Sequence, residues 1–394
     1  MFALTNEVRP YAWGSRTAMA EFLGDPSPSP EPQAELWIGA YPGFSSRVAD
    51  GRSLSDLIAE DPNASLGTEV AARFGARLPF LMKVLTIGSP LSLQVHPDAD
   101  QAKAGFAAEE AAGIRLTDPT RNYRDERHKP EILCALTPVE VLCGFRTVPE
   151  MDHLLGELAV SELEGLRDAL SDGLREAVRW VVDLPDKELA GAVSSLGNSA
   201  SAWTVGRCAD ALQWVSRLAD KYPQDRGVIL ALLCDFIRLE PGQALVIPAG
   251  CLHAYLCGMG VEVMADSDNV LRGGLTGKHV DVDDLQRVLN LDGAHPRVLQ
   301  GDADSAGRTR FSADVDEFDL SRYEITDAVV LGGERPRLVL TVEGAARLHA
   351  TDGTALDLPR GHAAFISAAE QRIKISGPAV VFEATTGQSA AAAP

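Results

Sequence analysis

A chain of 394 residues is too long for one ordinary hydrophobic core and predicts two or three domains. Hydrophobic content of 45% and charged content of 23% are those of a globular protein, and no apolar run is long enough to span a bilayer. A formal net charge of −20 argues against nucleic acid and anionic membrane as partners, so an anionic ligand would need a local positive region.

The first stretch, "MFALTNEVRPYAWGS", carries Glu7 and no signal-like core, and six scattered cysteines form no CxxC pair. Both features predict a cytoplasmic chain with reduced thiols. Residues 1 to about 146 are mixed, with turns at "GDPSPSPEP" and buried-strand runs at "FLMKVL" and "VEVLCGF". Within them "LSLQVHP", residues 91–97, alternates apolar and polar residues, so Ser92, Gln94 and His96 share one strand face. From Pro149 to about Phe236 the apolar spacing becomes helical, as in "EMDHLLGELAV", "LEGLRDALSDGLREAVRWVV" and "VGRCADALQWVSRLADKY". Strand texture then returns to the end, apart from a short helical "DVDDLQRVLN". "LEPGQALVIPA" (239–249) and "LPRGHAAFISA" (358–368) match at one offset of 119. Strand, Gly turn, strand and polar corner is the texture of a jelly-roll hairpin.

The expected fold is therefore mainly β with an α insertion: two β-barrel domains of jelly-roll type plus a helical domain. Residues 1–148 and 237–300 would form one barrel, 149–236 the insertion, and 301–394 the second barrel.

Four candidate metal ligands stand in the first barrel. Gln94 and His96 project from one strand face, Glu131 opens a strand-like run in "RHKPEIL", and His253 follows the Pro-Gly corner in "VIPAGCLHAY". Two imidazoles, a carboxylate and a neutral amide suit zinc with one position open. A lone histidine near a strand end is more often a hydrogen-bonded core residue. The i, i+2 pairing is common in strands, and the company of the other ligands brings a metal level with that reading, so spacing alone leaves both open. Cys251 and Cys257 flank His253 but read as small buried residues. At the same offset of 119, His253 falls on Arg372, so the second barrel lacks the ligand and reads as structural or interfacial. "MADSDNVLRGGLTGKHVDV" (264–282) is polar and Gly-rich, with Asp268, Arg272 and Lys278, and is not a phosphate-binding P-loop. An arginine there, with His128 and Lys129 beside Glu131, supplies the positive region that an anionic polyhydroxylated ligand needs.

These segments resemble one family. "YAWGS", "AELWIGAYP", "LPFLMKVL", "LSLQVHPD", "NYRDERHKPEILCAL", "GFR", "IPAGCLHAY" and "SDNVLRGGLTGKHV" are similar, in order, to the signatures of type I mannose-6-phosphate isomerase. The resemblance runs from Tyr11 to about His279 and implies a cupin-type enzyme with one zinc ion per chain. Its substrates would be mannose 6-phosphate and fructose 6-phosphate, interconverted through a cis-enediol. It places Gln94, His96, Glu131 and His253 on the zinc ligands and Arg272 on a catalytic arginine. Lys129, His128, Asp268 and Glu262 match residues for proton transfer or sugar contact, Glu262 or Lys129 serving as base. Lys83 matches a lysine near the phosphate, and Ser92, Trp13 and Trp37 would line the substrate site. A monomer is expected, with a small-molecule sugar phosphate as partner and neither nucleic acid nor membrane. Two rivals use the same residues: an iron-dependent cupin dioxygenase, which leaves Gln94 and the cations unexplained, and a non-catalytic sugar-phosphate sensor.

Overall fold

The computed structural model describes residues 1–206, 208–292, 295–304 and 307–387. Parts of the expected regions 149–236, 237–300 and 301–394 therefore lie outside the described residues. Strands β1 (Phe2–Leu4), β2 (Glu7–Arg9), β3 (Glu35–Gly39), β4 (Phe80–Ile87), β5 (Leu93–Val95), β6 (Glu131–Ala135) and β7 (Val139–Phe145) precede the helical block. After it come β8 (Cys234–Leu239), β9 (Ala244–Ile247), β10 (His253–Ala265), β11 (Leu271–Gly274) and β12 (Arg297–Leu299). The rest are β13 (Asp302–Ala303), β14 (Arg308–Phe311), β15 (Asp319–Ile325), β16 (Ala328–Gly332) and β17 (Arg337–Ala350). Last are β18 (Ala355–Pro359), β19 (Ala363–Ile366), β20 (Arg372–Ser376) and β21 (Ala379–Thr385).

The strands form two antiparallel sheets with one order. The first runs β12-β9-β6-β10-β4-β3-β2 and the second β1-β19-β17-β21-β15-β14-β13. The hairpin repeat is real at this level: β9 and β19 begin and end at the offset of 119, and Gly242 and Gly361 turn at φ 89° and 82°. The same offset relates Gly258 and Gly377, at φ 113° and 103°. A Cβ there would sit 2.4 Å from Pro138 O and 2.5 Å from Ala345 O, so only glycine fits. Phe2–Leu4 pairs with β19 and so belongs to the second sheet, not with the rest of residues 1–148.

Period-two alternation gives each sheet two faces. Leu36, Ile38, Met82, Val84, Ile132 and Val263 of the first sheet pack with Leu320, Leu338, Leu340, Phe365 and Phe382 of the second in one shared core. The intervening residues point the other way, where Leu85, Leu133 and Leu245 of the first sheet and Tyr323, Val339 and Ile366 of the second pack in separate clusters beside the cavities.

Helices occupy Val148–Leu158, Glu164–Ser171, Leu174–Asp183, Asp186–Ser201, Ala209–Lys221 and Gly227–Leu233. The second expected helix breaks at Gly173, with φ 122°, and the block ends at Leu233, where strand β8 starts. Leu154, Leu166, Val181, Leu196, Leu212 and Leu230 pack onto Leu93, Leu142, Leu252 and Leu271, so the block covers the β5-β7-β10-β11 side of the first barrel. Helices also occur before it, at Leu54–Glu60, Pro62–Leu66, Thr68–Phe74 and Ala99–Ala111. The short helix expected near residue 285 is Val282–Val288.

Candidate metal centre and its pocket

Strand ends deliver the ligands. His253 opens β10 and is the cross-strand neighbour of Gln94 on β5, and Gln94 in turn faces Arg272 on β11. Paired residues share a face, so His253, Gln94 and Arg272 form one row. His96 follows β5, and Glu131 is the first residue of β6. The ligand atoms of His96, Glu131 and His253 all lie within 4.8 Å of one another.

The donor chemistry fits a cation. His96 Nδ1 donates to Asn269 O at 2.8 Å and His253 Nδ1 to Cys251 O at 3.0 Å, which turns both Nε2 lone pairs inward. His96 Nε2 and Glu131 Oε2 are buried with no hydrogen-bond partner, a costly arrangement unless an ion sits between them. Burial pulls His253 down to about 4, with His96 adding to the effect. Burial and then the Lys129 charge pull His96 down as well. Burial pushes Glu131 up, but Lys129 and the imidazoles outweigh it and hold its carboxyl well below the ordinary range. Neutral imidazoles beside an ionised carboxylate are the ligating forms. Gln94 Nε2 lies 3.3 Å from His253 Nε2, two nitrogens facing each other; half a turn of the amide presents Oε1 instead. The cysteines stay out: Cys251 Sγ faces Cys143 Sγ at 3.6 Å, and all six are free.

Above this cluster opens a cavity of about 480 Å³ lined by Trp13, Trp37, Lys83, Ser92, Gln94, Lys129, Glu131, Glu262, Asp268 and Arg272. Lys129 Nζ sits 3.0 Å from Glu131 Oε1. Lys83 is held between Glu35 at 3.5 Å and Glu262 at 3.3 Å. Burial pushes its ammonium down, but those two carboxylates outweigh it and raise it above its ordinary value. Burial, then the Glu131 charge, lifts Glu262 to about 7. Arg272 is half-buried and pushed down by that burial. Neither nearby aspartate holds it in place: Asp266 pairs with Arg77 at 3.2 Å and Asp268 with Arg124 at 3.4 Å. Arg272 therefore faces the cavity rather than pinning its loop.

His128 is not brought to this pocket. Its Nε2 meets Glu317 Oε1 at 2.8 Å, at the edge of the second sheet. Sequence reasoning missed Glu35, whose Oε2 accepts from Trp37 Nε1 at 2.5 Å; its i, i+2 spacing from Trp37 was the available signal. It also missed Lys221 and Tyr222, which the helical block contributes to the cavity wall. Lys221 donates to Ser89 Oγ there.

Fold and site together define a cupin-type protein with a metal-competent pocket, walled by lysines and an arginine against a strongly acidic whole. Residues 1–148 match the phosphomannose isomerase type I catalytic domain family. The mannose-6-phosphate isomerase of Escherichia coli K12 is 36% identical over 387 residues, covering 96% of this chain and 97% of its own length. Mannose-6-phosphate isomerase 1 of Arabidopsis thaliana is 31% identical, covering 92% and 88%. The crystal structure of mannose 6-phosphate isomerase from Salmonella typhimurium bound to substrate and zinc has a TM-score of 0.90. It shares 35% identity and covers 98% of this chain and 100% of that one. The chain belongs to the mannose-6-phosphate isomerase family. Membership removes the iron-dioxygenase reading. No helix among the described residues is long and apolar enough to cross a membrane.

Proposed function

We propose that this chain interconverts mannose 6-phosphate and fructose 6-phosphate through a cis-enediol, using zinc held by Gln94, His96, Glu131 and His253. One observation carries the reading: two inward imidazole nitrogens and an unpartnered buried carboxylate oxygen at the floor of a cation-walled cavity. Zinc, when bound, supplies a Lewis acid for negative charge on the substrate oxygens.

The protein residues divide the remaining work. Glu262 shares the sheet face of Lys83 and Trp37 and, like Glu35, is a cavity carboxylate outside the ligand cluster. It takes the proton from C2 while the C1 oxygen gains one, which forms the enediol. The C2 oxygen then loses its proton, and the Glu262 carboxyl returns one to C1. Arg272 adds a fixed positive charge where the oxygens become electron-rich. Lys129, tied to Glu131, orients a substrate hydroxyl. Lys83, already flanked by two carboxylates, is poorly placed to meet a phosphate dianion. Lys221 and Lys278 in the cavity wall suit that group better. Trp13 and Trp37 line the cavity that would take the sugar. Asp268 and Ser92 are positioned to accept or donate at its hydroxyls.

A coupled assay with mannose 6-phosphate tests this. Turnover should disappear with a chelator and return with zinc. A zinc-replete, folded chain that leaves mannose 6-phosphate untouched would establish the sensor reading instead.

A further inference from the structure

The cavity face of the second sheet carries its own polar pocket, of the same volume as the first, about 480 Å³. The hairpin repeat aligns Ile247 with Ile366. In the first sheet Glu131 stands opposite Ile247; in the second, Arg337 stands opposite Ile366. A buried arginine thus occupies the register position of the metal-cluster carboxylate. Carrying the pairing outward, Glu383 takes the place of Glu262 and Ser321 that of Lys83. Arg310 then takes the place of Trp37, and Arg308 that of Glu35. The second pocket is the first one rebuilt in arginine.

Its charges are only partly paired. Arg337, 2% exposed, meets Glu383 Oε1 at 3.2 Å, and the Tyr323 hydroxyl donates to the other oxygen at 2.7 Å. Arg310 pairs with Asp319 at 2.6 Å. Arg308 donates from its side chain to Ser321 Oγ at 3.1 Å, and Arg335 to the Thr386 carbonyl at 3.2 Å. Among the described residues neither of these two guanidiniums has a carboxylate within the 4.0 Å ion-pair distance. Four arginines line the cavity against three carboxylates, in a chain of net charge −20. A network built only for stability would match its charges, because an unneutralised guanidinium in a half-buried wall is unfavourable.

We propose that this second cavity binds a small phosphate-bearing anion, with Arg308 and Arg335 as the guanidinium forks that grip the phosphate. Guanidinium forks match phosphate oxygens bidentately. The volume is that of a site for a metabolite of sugar-phosphate size. Arg337 and Arg310 stand behind, fixed by their carboxylates. A metal is excluded there, since Arg337 puts a cation where the first pocket puts a ligand.

Hydrogen exchange on the zinc-loaded full chain tests the proposal with three probes: inorganic phosphate, mannose 6-phosphate and unphosphorylated mannose. A phosphate-bearing probe should slow exchange in β14, β15 and β21, and mannose should not. Slowing by both phosphate probes shows that the phosphate group suffices; slowing by mannose 6-phosphate alone shows that the sugar is read as well. The double variant Arg308→Gln/Arg335→Gln should raise the half-saturating concentration for this sheet by about tenfold or more. Protection of the first sheet and kcat should not change. The proposal is overturned if neither phosphate probe slows exchange in the second sheet, if mannose slows it equally, or if a folded double variant keeps wild-type half-saturation. Should the double variant not fold, the wild-type comparison of phosphate with mannose decides alone.

Discussion

The two sheets share strand order, hairpin and cavity volume, yet among the described residues only the first assembles a cluster of candidate metal ligands. Glu131 and Arg337 hold one register position, and their charges are opposite. The second difference lies at the strand that turns away from the sheet. β10 runs unbroken from His253 to Ala265 and brings an imidazole over the cavity, whereas β20 and β21 are separated at Gly377 and Arg372 is exposed. A metal site on this scaffold therefore needs donors from both halves of the barrel. Sheet register alone fixes a cavity, and the side chains decide which ion or ligand it takes.

Removing Glu131 and Arg337 in turn separates what each does at the shared register position. Glu131→Ala should lose zinc, and activity should fall by about a thousandfold or more, the several kcal/mol that a bound metal supplies. Arg337→Ala should keep full zinc per folded chain while losing about 3–5 kcal/mol of stability, because Glu383 is left buried and uncompensated. Metal analysis and denaturant unfolding on both variants check this. Full zinc in Glu131→Ala would remove it from the ligand set.

Arg272→Ala sharpens the contrast between a cation that faces substrate and one that holds structure. It should lower kcat by about a hundredfold, with a smaller change in KM and normal zinc content. Lysine should rescue only part, lacking the planar fork. Activity that tracked loss of folded protein would instead make Arg272 a structural residue.

The bridge from His128 to Glu317 joins the two regions and titrates. The hydrogen bond to Glu317 raises His128 above its ordinary 6.5, so this contribution is complete below pH 6.5 and fades as pH rises through the folded value. Burial pushes Glu317 up from 4.5, but the His128 hydrogen bond and charge outweigh it, so that contribution fades only as pH falls through a value below 4.5. The bridge is strongest between roughly pH 4.5 and 6.5. His128→Gln should lower the unfolding free energy more at about pH 6 than at about pH 8.5, by about 1 kcal/mol or less for a partly exposed pair, read by denaturant unfolding at both pH values. Equal deficits at both pH values would mean that the bridge does not titrate as a pair.

The smallest effect belongs to Arg372→Ala. At the exposed start of β20 it should change stability by less than about 0.5 kcal/mol and leave zinc untouched. Loss of zinc there would undo the alignment of the two hairpins.

The sequence exposed the candidate metal cluster because strand alternation places Gln94 and His96 on one face, while Glu131 and His253 each open a strand. The same rule should have set His128 aside: Lys129 and Glu131 alternate onto one side and leave His128 on the other, toward Glu317. Lys221 gave no local signal, since nothing in a helix pattern says which end approaches a distant cavity. The arginine pocket was hidden differently. The offset of 119 holds through the hairpins, but the pairing of β17 with β21 slips at a bulge between Thr341 and Glu343. Beyond it, counting along the chain no longer finds equivalent residues. Only the hydrogen-bonded register places Arg337 on Glu131 and Glu383 on Glu262.

The pairing of Phe2–Leu4 with Ala363–Phe365 has a consequence for how the chain is made. β1 takes its place only after the whole stretch from Thr5 to Phe365 has been synthesised. At about 5–20 residues per second that is a delay of roughly 20–70 s. Through that interval the first sheet can close around its own strands, while β1 stays an unpaired ribbon and β19 later emerges with an open edge. The β1–β19 ladder thus joins segments that emerge far apart in time, and a ribosome stalled before Ala363 releases a chain in which β1 has no partner strand.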